Sequence, residues 1–107
     1  VHTGDTNTAI RFPEADTITA ETGGTERLRI DSSGHALPGA NNTYNLGSSS
    51  KRWANLYVND AHFSNEGSTN SVDGTWGDWT LQEGENDIYM INNRSGKKYK
   101  FNLTEVS

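Results

Sequence analysis

Apolar residues recur at every second position in most patterned segments of the chain, and this period constrains its fold more than any other feature. Ile10 and Phe12 flank an arginine, and Leu28 and Ile30 alternate with two arginines. Such alternation predicts strands with one buried face and one solvent face. A long amphipathic helical pattern is found nowhere in the sequence. The sequence therefore predicts an all-β fold.

The predicted strands are short and are separated by turn-forming residues. Residues 8–12, 16–21 and 26–31 follow one another at a spacing that is typical of a β-meander. Near the end of the chain, residues 87–91 and 97–103 flank a Gly-containing turn and predict a C-terminal hairpin.

A turn-rich stretch between these two patterned regions predicts the domain organisation. Residues 39–50 are nearly free of apolar side chains. We therefore predict a shaft-like β segment over residues 1–45 and a compact β head over residues 46–107. Within the head, Trp53 and Leu56 are three residues apart, which predicts a single helical turn that leads into a short strand.

The composition leaves little material for a core inside one chain. Only 31% of the 107 residues are hydrophobic, and no cysteine is present to form a disulfide. A polar chain of this size is disordered, marginally stable, or part of an oligomer that builds its core from several copies. Three Trp, four Tyr and three Phe, with only two Pro, argue against disorder. An oligomer is the favoured outcome.

The charge excludes several classes of function. The formal net charge is −5, whereas nucleic acids and anionic membranes attract basic surfaces. We therefore expect no nucleic-acid partner. A run of about 20 apolar residues is also missing, so we expect no membrane insertion. No motif indicates a cofactor.

Three passages resemble the tail and adhesion fibres of bacteriophages. Residues 45–58, NLGSSSKRWANLYV, resemble an "LGSSxxRWxNLY" segment that recurs in phage tail fibres. Residues 5–34, which include AIRFPEADTITAETGGTERLRIDSSG, resemble shaft modules of fibres from phages of marine cyanobacteria. Residues 74–103, from GTWGDW to KKYKFNL, resemble the C-terminal ends of such proteins.

This resemblance implies an elongated homotrimer on the virion, either a tail or a head fibre, that is assembled in the host cytoplasm and used for host attachment. Its partners would be further copies of itself, other fibre or tail proteins, and a glycan or protein receptor on the host surface. Three copies that meet on an axis also give small apolar faces a place to pack. The residues predicted to pack in the trimer or core are Ile10, Phe12, Leu28, Ile30, Trp53, Leu56, Ile88, Tyr99, Phe101 and Leu103.

Trp76, Trp79 and Asp78 are the candidate ligand-contacting residues. Indole rings bind the C–H faces of sugars, and a carboxylate accepts hydrogen bonds from hydroxyl groups, so the cluster predicts a glycan contact. The competing interpretation is that both tryptophans pack in the core. The alternative function is accordingly a monomeric, lectin-like β module of a secreted or surface protein.

Catalytic and metal sites are poorly supported by the sequence. Asp and Glu are dense in the second half, but they lie in Gly-rich turns where Asp commonly bonds the local backbone. We therefore expect no enzymatic activity. Asp60 and His62 share one side of a predicted strand, but a fibre-type axial metal motif has two histidines, so we expect no metal.

Overall fold

The computed structural model describes residues 4–107, which form two compact units divided between Trp53 and Ala54. Each unit contains one four-stranded antiparallel sheet, and residues 4–107 contain no helix. The all-β prediction is confirmed, and the predicted helical turn at Trp53 is wrong. The boundary predicted after residue 45 lies inside the first unit.

The first sheet is a meander in which neighbours along the chain are neighbours in space. Its strands are β1 (Ala9–Arg11), β2 (Ile18–Thr22), β3 (Thr25–Ile30) and β4 (Ala36–Pro38). Pro38 lies on the edge strand, where its missing N–H group costs no pairing on the open side.

One face of this sheet is polar and is covered by its own ion pairs. The pairing register shifts by one residue in β3, so that Glu26 and Arg29, three apart in sequence, lie on the same face. They form a bridge of 2.9 Å, and Arg11 pairs with Glu21 at 2.9 Å. Thr19 lies between the two arginines in the register and is only 2% exposed. Long charged side chains therefore shield this face.

The other face is apolar and uncovered within the chain. Because residues paired across strands share a face, the register defines this surface, which we call the first apolar face. Leu28 is 47% exposed in its centre. The sheet therefore buries the polar side chain of Thr19 and leaves aliphatic side chains exposed, the reverse of the usual arrangement in a folded domain. The face consists of Ile10, Ile18, Ala20, Leu28, Ile30, Ala36 and Pro38.

Gly39 fixes the end of β4 by its close approach to β3. Its N–H group donates to the carbonyl oxygen of Arg27 at 2.9 Å, and an added methyl group would overlap the carbonyl oxygen of Glu26. Gly39→Ala is therefore expected to cost about 1–3 kcal/mol and to open the β3–β4 pairing. Hydrogen exchange of the β4 amides measures this opening.

Gly34→Ala is the control for Gly39→Ala. A methyl group at residue 34 meets open space, so only strain from its φ of +87° is introduced. Protection of the β4 amides should persist in this variant. Equal protection in Gly39→Ala and the unmodified chain would contradict the close approach.

The second sheet repeats the meander in the second unit. Its strands are β5 (Ala61–Ser64), β6 (Asp78–Glu83), β7 (Ile88–Asn92) and β8 (Lys98–Lys100). The β7–β8 pair confirms the predicted C-terminal hairpin. The register places a set of apolar side chains on one face, which we call the second apolar face. It consists of Ala61, Phe63, Trp79, Leu81, Ile88, Met90 and Tyr99.

The residues predicted to pack are not buried within one chain. Among the described residues, Ala9 is the one apolar side chain that is buried. Of the predicted set, Ile88 is half-buried and the other members are exposed. Their packing therefore remains a prediction about an assembly. Ile10, Leu28 and Ile30 lie on the first apolar face, Ile88 and Tyr99 on the second, and Phe12, Trp53, Leu56, Phe101 and Leu103 lie outside the strands.

Candidate functional site

The loop that joins β5 to β6 is closed at its base by one asparagine. The Asn65 N–H group donates to the carbonyl oxygen of Gly77 at 3.3 Å, and the Gly77 N–H group donates to Asn65 Oδ1 at 2.7 Å. These two bonds tie both ends of residues 65–77 together. These bonds give the loop a defined conformation, and the loop in turn positions Trp76 next to the start of β6.

Hydrogen bonds also organise the inner part of this loop. Asn70 Oδ1 accepts from the N–H groups of Val72 and Asp73 at 2.8 and 2.9 Å. Asp73 Oδ1 accepts from the Thr75 hydroxyl at 2.7 Å and from Asn70 Nδ2 at 2.8 Å. The Thr75 hydroxyl and then the Asn70 amide lower the pKa of Asp73 below the usual value of an aspartate. Asp73 is therefore a carboxylate at neutral pH.

Arg94, in the turn of the C-terminal hairpin, lies over the ring of Trp76. Its guanidinium carbon is 3.8 Å from the ring centroid, a cation–π geometry. Arg94 Nη1 also donates to the carbonyl oxygen of Trp76 at 2.9 Å. Two separate interactions thus fix one arginine against one indole. In the part of the chain that the structure describes, no carboxylate lies within 4.0 Å of the Arg94 nitrogens.

These side chains line an open depression of about 590 Å³ in the second unit. Trp76 and Trp79 supply its apolar surface, and Asp73, Asn92, Arg94 and Ser95 supply polar groups. A shallow surface that combines indole rings with hydrogen-bonding side chains suits a ligand with C–H faces and hydroxyl groups, as sugars have.

The structure brings together two of the three predicted glycan-contacting residues. Trp76 and Trp79 both line the depression, whereas Asp78 does not. Successive residues of a strand face opposite sides, so Asp78 and Trp79 point away from each other. Asp78 Oδ1 instead accepts from Asn93 Nδ2 at 2.9 Å. Trp79 also lies 5.8 Å from the Tyr99 ring, on the second apolar face.

The pair Asp60 and His62 is engaged by neighbours on β6. Asp60 Oδ2 accepts from Gln82 Nε2 at 3.1 Å, and His62 Nδ1 lies 3.0 Å from the Thr80 hydroxyl. Within residues 4–107, no group of three or more His, Cys, Asp or Glu side chains is arranged to hold a metal ion.

Comparison with known proteins gives no relative for this chain. No protein-family model, curated protein or solved structure matches it. Over the described residues, no helix has the length and apolar character needed to cross a membrane. The fold and the depression therefore define only an all-β protein with two antiparallel meanders and a tryptophan-lined surface.

Sequence reasoning found only Trp76 and Trp79 in the depression and missed its other members, among them Asn70, Asp73 and Arg94. The spacing of Asn70, Asp73 and Thr75 around Gly74 is typical of a turn, so this part of the loop could have been predicted from the sequence. The pairing of Arg94 with Trp76 is a tertiary contact between two loops, 18 residues apart. A contact of this kind cannot be predicted from a local sequence pattern.

Proposed function

We propose that the chain is a structural and adhesive segment of a bacteriophage fibre, assembled as a homotrimer and used for attachment to a host surface. Its partners would be two further copies of itself, other fibre or tail proteins, and a surface receptor. The proposed location is the virion. The single observation that carries the proposal is that the first sheet presents an uncovered apolar face, while the second sheet presents an apolar face that is mostly half-buried.

The exposure of these faces supports self-association. Soluble monomers rarely expose large contiguous apolar patches, and larger ones mark interaction sites. On the first apolar face, the aliphatic side chains continue across all four strands. A second copy offers the same apolar chemistry, and closed symmetry lets each copy cover the next. Three short faces that meet on an axis would supply the core that one chain lacks.

The segment that resembles phage fibres supports the same assembly. Within residues 45–58, the side chains of Leu46, Trp53, Leu56 and Tyr57 are all strongly exposed. Aromatic and aliphatic side chains of this size are typical of the buried centre of subunit interfaces. Contacts between copies would remove them from water.

The depression favours an adhesive role over a catalytic one. Glycosidases act with a pair of carboxyl groups that flank the scissile bond. Among the residues that line the depression, Asp73 is the single carboxylate. We therefore propose binding without turnover.

The native mass tests the assembly directly. Light scattering coupled to size exclusion is expected to give about 35 kDa, three times the chain mass of 11.8 kDa. A cooperative melt at 11.8 kDa, independent of protein concentration, would contradict the trimer.

The alternative is a monomeric glycan-binding module, which the tryptophan-lined depression favours. A stable monomer that binds sugars would select this function. The mass measurement therefore separates the two proposals, because both predict a sugar-binding surface but only the fibre predicts three chains.

A further inference from the structure

We infer that the depression beside Trp76 binds an anionic sugar, whose ring bears a carboxylate or a sulfate, and that Arg94 pairs with this anion. The inference deepens the proposed adhesive function and rests on it. It names the chemical class of the receptor and a specificity-determining residue that lies outside the predicted glycan contacts.

The fixed position of the Arg94 guanidinium, together with its lack of a carboxylate partner among the described residues, is the first observation that supports this inference. The guanidinium carbon lies over the indole of Trp76, and Nη1 donates to the Trp76 carbonyl oxygen. A guanidinium has five N–H donors in a planar fork, so the remaining donors have a defined direction. No carboxylate of the described residues pairs with it. An oxyanion is the ligand that such a preorganised fork binds best, often through two parallel bonds.

Asp73 in the same depression does not remove this preference. Its Oδ1 atom accepts from the Thr75 N–H group, the Thr75 hydroxyl and Asn70 Nδ2, at 3.1, 2.7 and 2.8 Å. All three donors belong to the loop of Asp73, and Arg94 is not among them. Asp73 therefore serves the loop conformation, while Arg94 remains available to a ligand.

The tryptophans account for the sugar part of the ligand. Arg94 occupies one face of the Trp76 ring, so Trp79 provides a second indole wall. Sugar C–H groups pack on such walls, and Asn92 and Ser95, which line the same depression, supply polar groups for ring hydroxyls. A small inorganic anion would use Arg94 alone. A ligand that uses the whole depression needs both a charge and a ring.

Binding to matched oligosaccharides tests the inference. The probes are oligomers of hexuronic acids with their carboxyl-reduced counterparts, and sulfated oligosaccharides with their desulfated counterparts. Calorimetry or surface binding with the full chain is expected to detect at least one anionic oligomer. Removal of its charge, or Arg94→Gln, is expected to weaken binding about tenfold or more, as loss of a charge-assisted hydrogen bond does. Arg27→Gln removes an exposed arginine of the first unit that lies 5.0 Å from the centroid of the Tyr44 ring; it is the matched control and should bind normally.

The outcomes separate this inference from the proposed function. Equal binding of charged and neutral oligomers, equal binding by Arg94→Gln, or no binding of any anionic oligomer would overturn the inference. A carboxylate preference and a sulfate preference each support it and identify the source of the anion. A native mass of one chain would overturn the trimeric fibre and leave the anionic-sugar site standing.

Trp76→Ala, which removes the indole ring under the Arg94 guanidinium, is expected to reproduce the loss of binding seen in Arg94→Gln.

Discussion

Glutamate in place of Leu28 is expected to convert the proposed trimer into single chains. Leu28 lies on β3, one of the two inner strands of the sheet, in the middle of the first apolar face. In the trimer, three introduced carboxylates would be desolvated close to one another, and an unpaired buried charge costs several kcal/mol. The native mass by light scattering should fall from about 35 kDa to the chain mass of 11.8 kDa.

Leu37→Glu is the matched control for this experiment. Leu37 lies on the neighbouring strand, is 40% exposed compared with 47% for Leu28, and faces the polar side of the sheet. The two variants therefore differ in the face that is altered and not in residue type. Leu37→Glu should keep the trimer mass. If both variants stay trimeric, the first apolar face is not the interface.

Alanine in place of Trp79 is expected to give the largest loss of stability in the second unit. Trp79 is central on the second apolar face and packs beside Tyr99 at 5.8 Å. Truncation of a buried tryptophan costs about 3–5 kcal/mol. Within one chain Trp79 is only half-buried, so a loss in this range requires that another copy covers the part of the ring on the second apolar face, while the part that lines the depression stays open to a ligand. Urea unfolding at a fixed chain concentration measures the loss.

Trp76→Ala serves as the control for Trp79→Ala. Trp76 is also half-buried, but it lies in the loop before β6 and is covered by Arg94. Its removal should cost about 1 kcal/mol, close to the value of one cation–π pair. Equal losses from the two tryptophan substitutions would argue that no subunit covers the second apolar face.

The fold class was predictable because its signal is local. The alternation around Ile10, Leu28 and Tyr99 sets the period of each strand. β4 escaped prediction because Pro38 is normally read as a strand breaker and is tolerated only at an edge. β5 was predicted only in part, as a strand through Asp60 and His62, because the alternation of Ala61 and Phe63 is too short to define its bounds. The helical turn at Trp53 was wrong because a single three-residue spacing carries little energy without tertiary packing.

The candidate site was predictable in its aromatic part only. Trp76 and Trp79 stand out in a chain poor in apolar residues, which is a property of composition. Asp78 lies on the opposite face of the strand from Trp79, so its contact with a glycan stays a prediction outside the depression. The position of Arg94 depends on how the β5–β6 loop and the β7–β8 turn meet in space. The contact between this loop and this turn cannot be predicted from local sequence.

Both sheets are meanders, in which every pairing joins strands that are adjacent along the chain. Such pairings have low contact order, so little loop-closure entropy opposes them and they form quickly. Assembly of the proposed trimer instead takes successive bimolecular steps, whose rates depend on the chain concentration. The concentration of chains would therefore control the yield of assembled protein more strongly than the folding of each chain does.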